Sequence, residues 1–175
     1  MSQRASRRQF LFVLAFLMVV SLFVMTFRMG LVRGDSMDPT YHDGQVVLVH
    51  RRNWLNRRLE RGDVVVLKKD NDVIIKRIYR LPGEEVVDQN LISNSIRYDL
   101  TDYYEQPIEV EDRRKPPRLF VPQGYVVVLG DNPRVSEDSR VFGPVPIKDI
   151  LGVAVNSPPP PTTPSAPVPV LPNGN

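Results

Sequence analysis

Residues 61–83 read Arg61-Gly62-Asp63-Val64-Val65-Val66-Leu67-Lys68-Lys69-Asp70-Asn71-Asp72-Val73-Ile74-Ile75-Lys76-Arg77-Ile78-Tyr79-Arg80-Leu81-Pro82-Gly83. Two apolar runs of β type, 64–67 and 73–78, stand here between the turn signals Arg61-Gly62-Asp63 and Leu81-Pro82-Gly83. The same punctuation continues outward. Further β-type runs fall at 46–49, 86–87, 125–129 and 150–155, with turn signals at His42-Asp43-Gly44, Pro122-Gln123-Gly124 and Gly130-Asp131-Asn132-Pro133. No long 3.6-period helix appears after residue 27. The pattern predicts a mainly β domain over residues 31–156, a coiled sheet or barrel-like fold. Residues 88–120 are polar, carry Pro107, Pro116 and Pro117, and read as a long excursion from that domain.

The flanks are of a different kind. Residues 10–27 contain no charge and are rich in Phe, Leu, Val and Met. As a helix these 18 residues would run roughly 27 Å, close to the hydrocarbon thickness of a bilayer. The exit Met25-Thr26-Phe27-Arg28 offers no small-residue cleavage site, so the segment reads as an uncleaved signal-anchor. Arg4, Arg7 and Arg8 place residues 1–9 in the cytoplasm, with Arg28 and Arg33 weakening the asymmetry slightly. Everything beyond then lies on the far side of the membrane. Residues 157–175 hold eight of the 17 prolines and no charge, and read as an extended, disordered Pro-rich tail.

Composition removes several classes of function. The net charge of +3 equals the three arginines of the first nine residues; the other 20 Lys and Arg balance 20 Asp and Glu. A nucleic-acid binder should carry its basic excess on the folded part, and this chain does not. The basic stretch 51–58, with Trp54, reads as a solvated loop or a contact to anionic headgroups. With no cysteine, thiol catalysis, disulfides and cysteine-based metal sites are excluded. With two histidines, His42 and His50, a multi-histidine metal site is not expected.

Three segments could carry chemistry. Ser36 lies in Gly34-Asp35-Ser36-Met37-Asp38-Pro39-Thr40, just past the apolar span. Taken alone, a serine beside Asp and Pro is an ordinary turn residue. Lys76 shares a strand face with Ile74 and Ile78 by period-2 geometry. Burial there would lower its pKa toward a useful base, whereas an edge position would let it extend to water. The third segment runs from Gly130 through Ser136, Asp138, Ser139 and Arg140 to Val145. By itself it is a polar loop with an Asp138–Arg140 ion pair worth about a kcal/mol or less.

In their order, these segments resemble the motifs of the type I signal peptidases. The serine segment 34–40, the Gly62-Asp63 strand opener, Lys76-Arg77 with Leu81-Pro82-Gly83, and Gly130-Asp131-Asn132 through Arg140 carry the likeness over about residues 8–155. The resemblance implies a serine endopeptidase that removes signal peptides from exported preproteins after small residues at −3 and −1, without a cofactor. It implies Ser36 as nucleophile, neutral Lys76 as general base, and Ser136 hydrogen-bonded to the lysine amine. It implies an Asp138–Arg140 pair holding the loop and the Ser36 N–H as an oxyanion donor. Leu31, Val32, Ile74 and Ile75 would border the pockets for small side chains. A bacterial plasma membrane is the implied location, with the lipid bilayer and preproteins as partners. Gly34 stands where some members have a serine hydroxyl, while Pro133 and Val135 replace polar residues, and the 88–120 excursion lacks an Asn-Gly hairpin.

Three other readings compete. A Ser-His-Asp enzyme would need His42 or His50 as base, and nothing in the sequence positions either. Self-cleaving repressors also use serine and lysine on a related β fold, but carry a DNA-binding domain where this chain has its apolar span. A degenerate, non-catalytic homologue is argued against by the joint presence of Ser36, Lys76 and Ser136.

Overall fold

The computed structural model describes residues 2–51, 58–86, 91–92, 118–155 and 157–159, with side chains from residue 7 onward. Helix α1, Ser2–Thr26, contains the apolar span; Arg7–Thr26 is long and apolar enough to cross a membrane. It runs into β1, Phe27–Leu31, with no residue between them. Phe27 bridges the junction, its ring 5.0 Å from Phe23 in the helix and 5.1 Å, edge-on, from His50 in the sheet. Most of the 51–58 basic stretch, most of the 88–120 excursion and the tail beyond 159 lie outside the described residues.

The mainly β expectation holds. Strands β2 (Val46–Arg51), β3 (Val64–Lys69), β4 (Asp72–Arg80), β7 (Tyr125–Leu129), β8 (Val145–Pro146) and β9 (Ile150–Ala154) join β1 in one sheet. Its order is β1-β2-β9-β3-β4-β7-β8, and every pair is antiparallel. Strands β5 (Glu85–Val86) and β6 (Leu119–Phe120) form a separate ribbon. Among the described residues the large sheet has two edges, β1 and β8, and does not close on itself. Register shifts at Val66/Leu67 and Ile78/Arg80 bend it, since an irregular residue in a ladder adds local twist.

Alternation along β4 decides what each face meets. Ile78 and Ile74 belong to a core cluster with Val65, Leu67 and Val128. Ile75, on the opposite face, packs against a second cluster built from Val32, Met37, Tyr41 and Val47. A third cluster joins Val86, Leu119, Val121 and Val127 to Leu91 and Ile92. The start of the excursion therefore has a packing role that its polar composition hid.

Candidate active site

Ser36 is placed by the chain that leaves β1. Ladder-like bonds continue past the strand, Val32 N–H to Gln45 O at 2.9 Å and Gly44 N–H to Val32 O at 3.0 Å. The chain then turns at Gly34, whose φ of +77° is costly for any residue with a Cβ. The Gly34 N–H donates to Asp43 Oδ1 at 2.7 Å. Beyond the serine, fully buried Met37 plugs into the second cluster. Ser36 is thus held half-buried between Val32 and Met37, both sunk in the core. Among the described residues, its N–H donates to no acceptor.

Lys76 comes from the middle of β4 and is 4% exposed. Its Nζ donates to Ser36 Oγ at 2.7 Å. Burial pushes the amine below the ordinary lysine pKa; Asp138, Glu137 and Asp131 pull it back up, while Arg140 adds to the lowering. Desolvation is the largest effect because taking an ammonium out of water penalises the charged form. A lysine and a serine distant in sequence therefore meet with the amine biased toward its basic form.

The loop after β7 closes the site from a third side. Asn132 N–H donates to the Ser36 carbonyl oxygen at 3.0 Å, and Ser136 N–H returns to Asn132 O at 3.1 Å. Ser136 Oγ donates to Asp138 Oδ2 at 2.7 Å. No hydrogen bond joins Ser136 to Lys76 among the described residues, so the implied Ser136–amine contact is replaced here by one to Asp138. Asp138 is fully buried, pairs with Arg140 at 2.6 Å, accepts from Gly130 N–H at 2.9 Å and caps the short helix Ser139–Phe142. The pair that reads as a surface salt bridge in sequence is an interior one. Gly130 is obligatory by closeness: a Cβ there would lie 2.1 Å from Ser136 Oγ and 2.5 Å from the Ser36 carbonyl oxygen.

Sequence reasoning missed the group that locks these segments together. Arg77, 6% exposed, points to the opposite face from Lys76. Its Nε and Nη2 reach Asp131 at 2.8 and 2.7 Å, Nη2 also reaches Thr40 Oγ1 at 3.2 Å, and Nη1 reaches the Gly62 carbonyl at 2.8 Å. Thr40 in turn donates to Asp131. One residue from each of the four motifs thus enters a single buried ionic knot. The signal was available: a second cation in an apolar period-2 run needs a buried partner.

A cleft of about 180 Å³ opens beside the pair. Leu31, Val32 and Ser36 line one side, Ile74, Ile75 and Lys76 the other, and Val66 its floor. All four residues named for substrate pockets border it. Among the described residues β1 is a sheet edge, and β4 pairs with β7 only from Arg77 onward, leaving residues 73–75 unpaired on that side. The histidines stand elsewhere: His42 Nδ1 lies 2.5 Å from Asp38, and His50 bonds the Arg51 carbonyl. No group of acidic residues and histidines able to hold a metal occurs among the described residues.

The family described as "Signal peptidase, peptidase S26" matches residues 6–157. Signal peptidase IB of Staphylococcus aureus is 33% identical over 137 residues, 69% of this chain and 72% of its own. Thylakoidal processing peptidase 1, chloroplastic, of Arabidopsis thaliana is 37% identical over 139 residues, 71% of this chain and 39% of that protein. A signal peptidase I crystal structure from Enterococcus faecalis V583 aligns at 27% identity, covering 55% of this chain and 97% of its own, with a TM-score of 0.36. The chain belongs to the signal peptidase family, peptidase S26, and is a serine endopeptidase.

Proposed function

We propose that this chain is a membrane-bound endopeptidase that removes N-terminal signal peptides from exported preproteins, with Ser36 as nucleophile and Lys76 as its base. The observation that carries this reading is the 2.7 Å contact between Lys76 Nζ and Ser36 Oγ in a site where burial lowers the amine's pKa. Once the amine is neutral the contact reverses, the lone pair accepting the serine proton as Oγ attacks the scissile carbonyl. The resulting ammonium gives that proton to the leaving amine, and neutral Lys76 then activates water for deacylation.

The Ser36 N–H, which has no acceptor among the described residues, is the donor for the oxyanion in this reading; a donor of this kind contributes about 3 kcal/mol of barrier lowering. Ser136, Asp138 and Arg140 act at one remove, holding the loop that presses on the serine. Substrate enters extended between β1 and the start of β4, whose outer main-chain groups have no strand partner among the described residues and bind any sequence. Leu31, Val32, Ile74 and Ile75 border the cleft, and in this reading they form the apolar pockets that select small side chains at −1 and −3. Helix α1 spans the membrane with residues 1–9 in the cytoplasm, which puts the cleft where a translocated signal peptide emerges.

The test is maturation of a secreted precursor by vesicles carrying the full chain. Wild type should process it, and Ser36→Ala and Lys76→Ala should each abolish processing. Processing by either variant would sink the mechanism. Equal processing by His42→Gln/His50→Gln separates this reading from a histidine triad.

A further inference from the structure

Arg77 has five N–H groups to satisfy, as every guanidinium does. Asp131 and Thr40 take three and the Gly62 carbonyl takes a fourth. The fifth goes outside the motifs. Arg77 Nη1 donates to the carbonyl of Pro158 at 3.1 Å. One residue earlier, Ser157 Oγ donates to the Ala154 carbonyl at 3.2 Å and accepts from Tyr41 Oη at 3.3 Å. Tyr41 is buried five residues beyond the nucleophile, and Arg77 directly follows the base. The first two residues of the Pro-rich tail therefore touch both segments that form the Ser36–Lys76 pair. The family match stops at residue 157, so the Pro158 contact lies beyond it.

We propose that Ser157 and Pro158 form a positioning strap that sets the approach of Lys76 to Ser36 and couples the tail to the catalytic centre. The inference rests on the reading of those two residues as the reacting pair. Proline at 158, 159 and 160 suits the role. Each proline fixes its own φ and holds the preceding residue extended, so the Pro158 carbonyl is aimed before it binds. The acceptor is delivered with little conformational entropy to lose. Without it, a buried guanidinium N–H must recruit water into the interior behind the strand that carries Lys76. Lys76 already faces Asp138, Glu137, Asp131 and Arg140, with Arg77 behind it on its own strand. Water admitted there loosens the packing of β4 and so weakens the desolvation that keeps the Lys76 amine neutral.

The experiment uses the full-length protein in detergent micelles with a peptide bearing Ala at −3 and −1. Ser157→Gly/Pro158→Gly/Pro159→Gly keeps chain length but loosens the strap. It should lower kcat about tenfold with KM changed less than about twofold, because positioning acts on the transition state. The acidic limb of its pH profile should move to higher pH. Tyr41→Phe, which removes one hydroxyl, should move the limb in the same direction by less. Pro167→Gly/Pro169→Gly, in the distal tail, should leave both kcat and the limb unchanged. Wild-type kcat and pH profile in the strap variant would overturn the proposal. So would a loss matched by the fraction of sites that no longer titrate as active, or equal loss in the distal variant. Ser36→Ala run in parallel reports on the reacting pair separately: its activity would defeat the mechanism, whatever the strap variants do.

Discussion

Gly130 and Ser136 stand so close that a Cβ on the glycine would lie 2.1 Å from the serine Oγ. The same atom would meet the Ser36 carbonyl oxygen at 2.5 Å, and that neighbour is backbone and cannot swing away. Gly130→Ala should therefore push the Asn132 loop off the serine. Overpacking of this kind costs about 1–3 kcal/mol of stability. A displacement near 1 Å at the reacting pair costs about a hundredfold in rate. Thermal unfolding and kcat/KM measured on one sample check both; an alanine variant with full activity would show that the loop yields harmlessly.

Activity should rise with pH along a limb that lies below the ordinary lysine value, since burial lowers the Lys76 pKa and only the neutral amine is a base. Lys76→Arg should be inactive at every accessible pH, because a guanidinium stays charged. A kcat/KM profile decides this, and a limb at or above the pKa of free lysine would contradict the buried-amine picture.

Lys76 should also cost stability. Its folded pKa lies below the unfolded value, so between the two the unfolded chain binds more protons and stability rises with pH. The penalty is complete below the folded pKa and disappears as pH climbs through the unfolded one. Lys76→Met should consequently be more stable than wild type at neutral pH, with the gap closing toward pH 10.5. Denaturation midpoints across that range provide the check.

Asp131→Asn should be among the most damaging substitutions away from the reacting pair. It leaves the buried Arg77 charge without its partner, a loss of roughly 3–5 kcal/mol. Replacing both residues, Arg77→Met with Asp131→Leu, should cost less than the sum of the single changes. Denaturant unfolding of the four proteins yields the coupling, and strict additivity would argue against a shared knot.

Selectivity should respond to Ile75, which lines the cleft and packs on the second core cluster. Ile75→Ala opens space of about three methylenes, and pocket volume of that order discriminates by tenfold or more. The ratio of kcat/KM for a substrate with Val at −3 to one with Ala should rise about tenfold. An unchanged ratio would place the selecting wall elsewhere.

The sequence made β4 and its neighbours legible because their alternation is strong. Apolar β-branched residues at 64–67 and 73–78 leave one register that buries them, and the strands lie where the pattern puts them. β1 was not legible. Phe27-Arg28-Met29-Gly30-Leu31 has four exposed residues, one of them a glycine, and becomes a strand through pairing with β2 rather than by its own preference. β8, two residues including a proline, gave no periodic signal for the same reason. For the site, motif order pointed to Ser36 and Lys76, yet the depth of Lys76 could not be read. Its surroundings are completed by the loop that reaches the Ser36 carbonyl through Asn132 and brings Asp138 and Glu137 within electrostatic reach, contacts made far along the chain. The Arg77–Asp131 knot escaped because each residue looks unremarkable in its own motif and is explained only by the other.

The junction without slack between α1 and β1 makes the molecule a ruler. Phe27 pins helix to sheet, and nine residues, at most about 36 Å of chain, separate Thr26 from Ser36. With α1 spanning the bilayer as proposed, the cutting point would sit at a set height over the lipid surface. Substrates whose own greasy stretch ends at that level present a bond to it, and buried or distant bonds pass untouched. Accuracy of cleavage would then be partly a matter of altitude, read by rigid geometry before any pocket inspects a side chain.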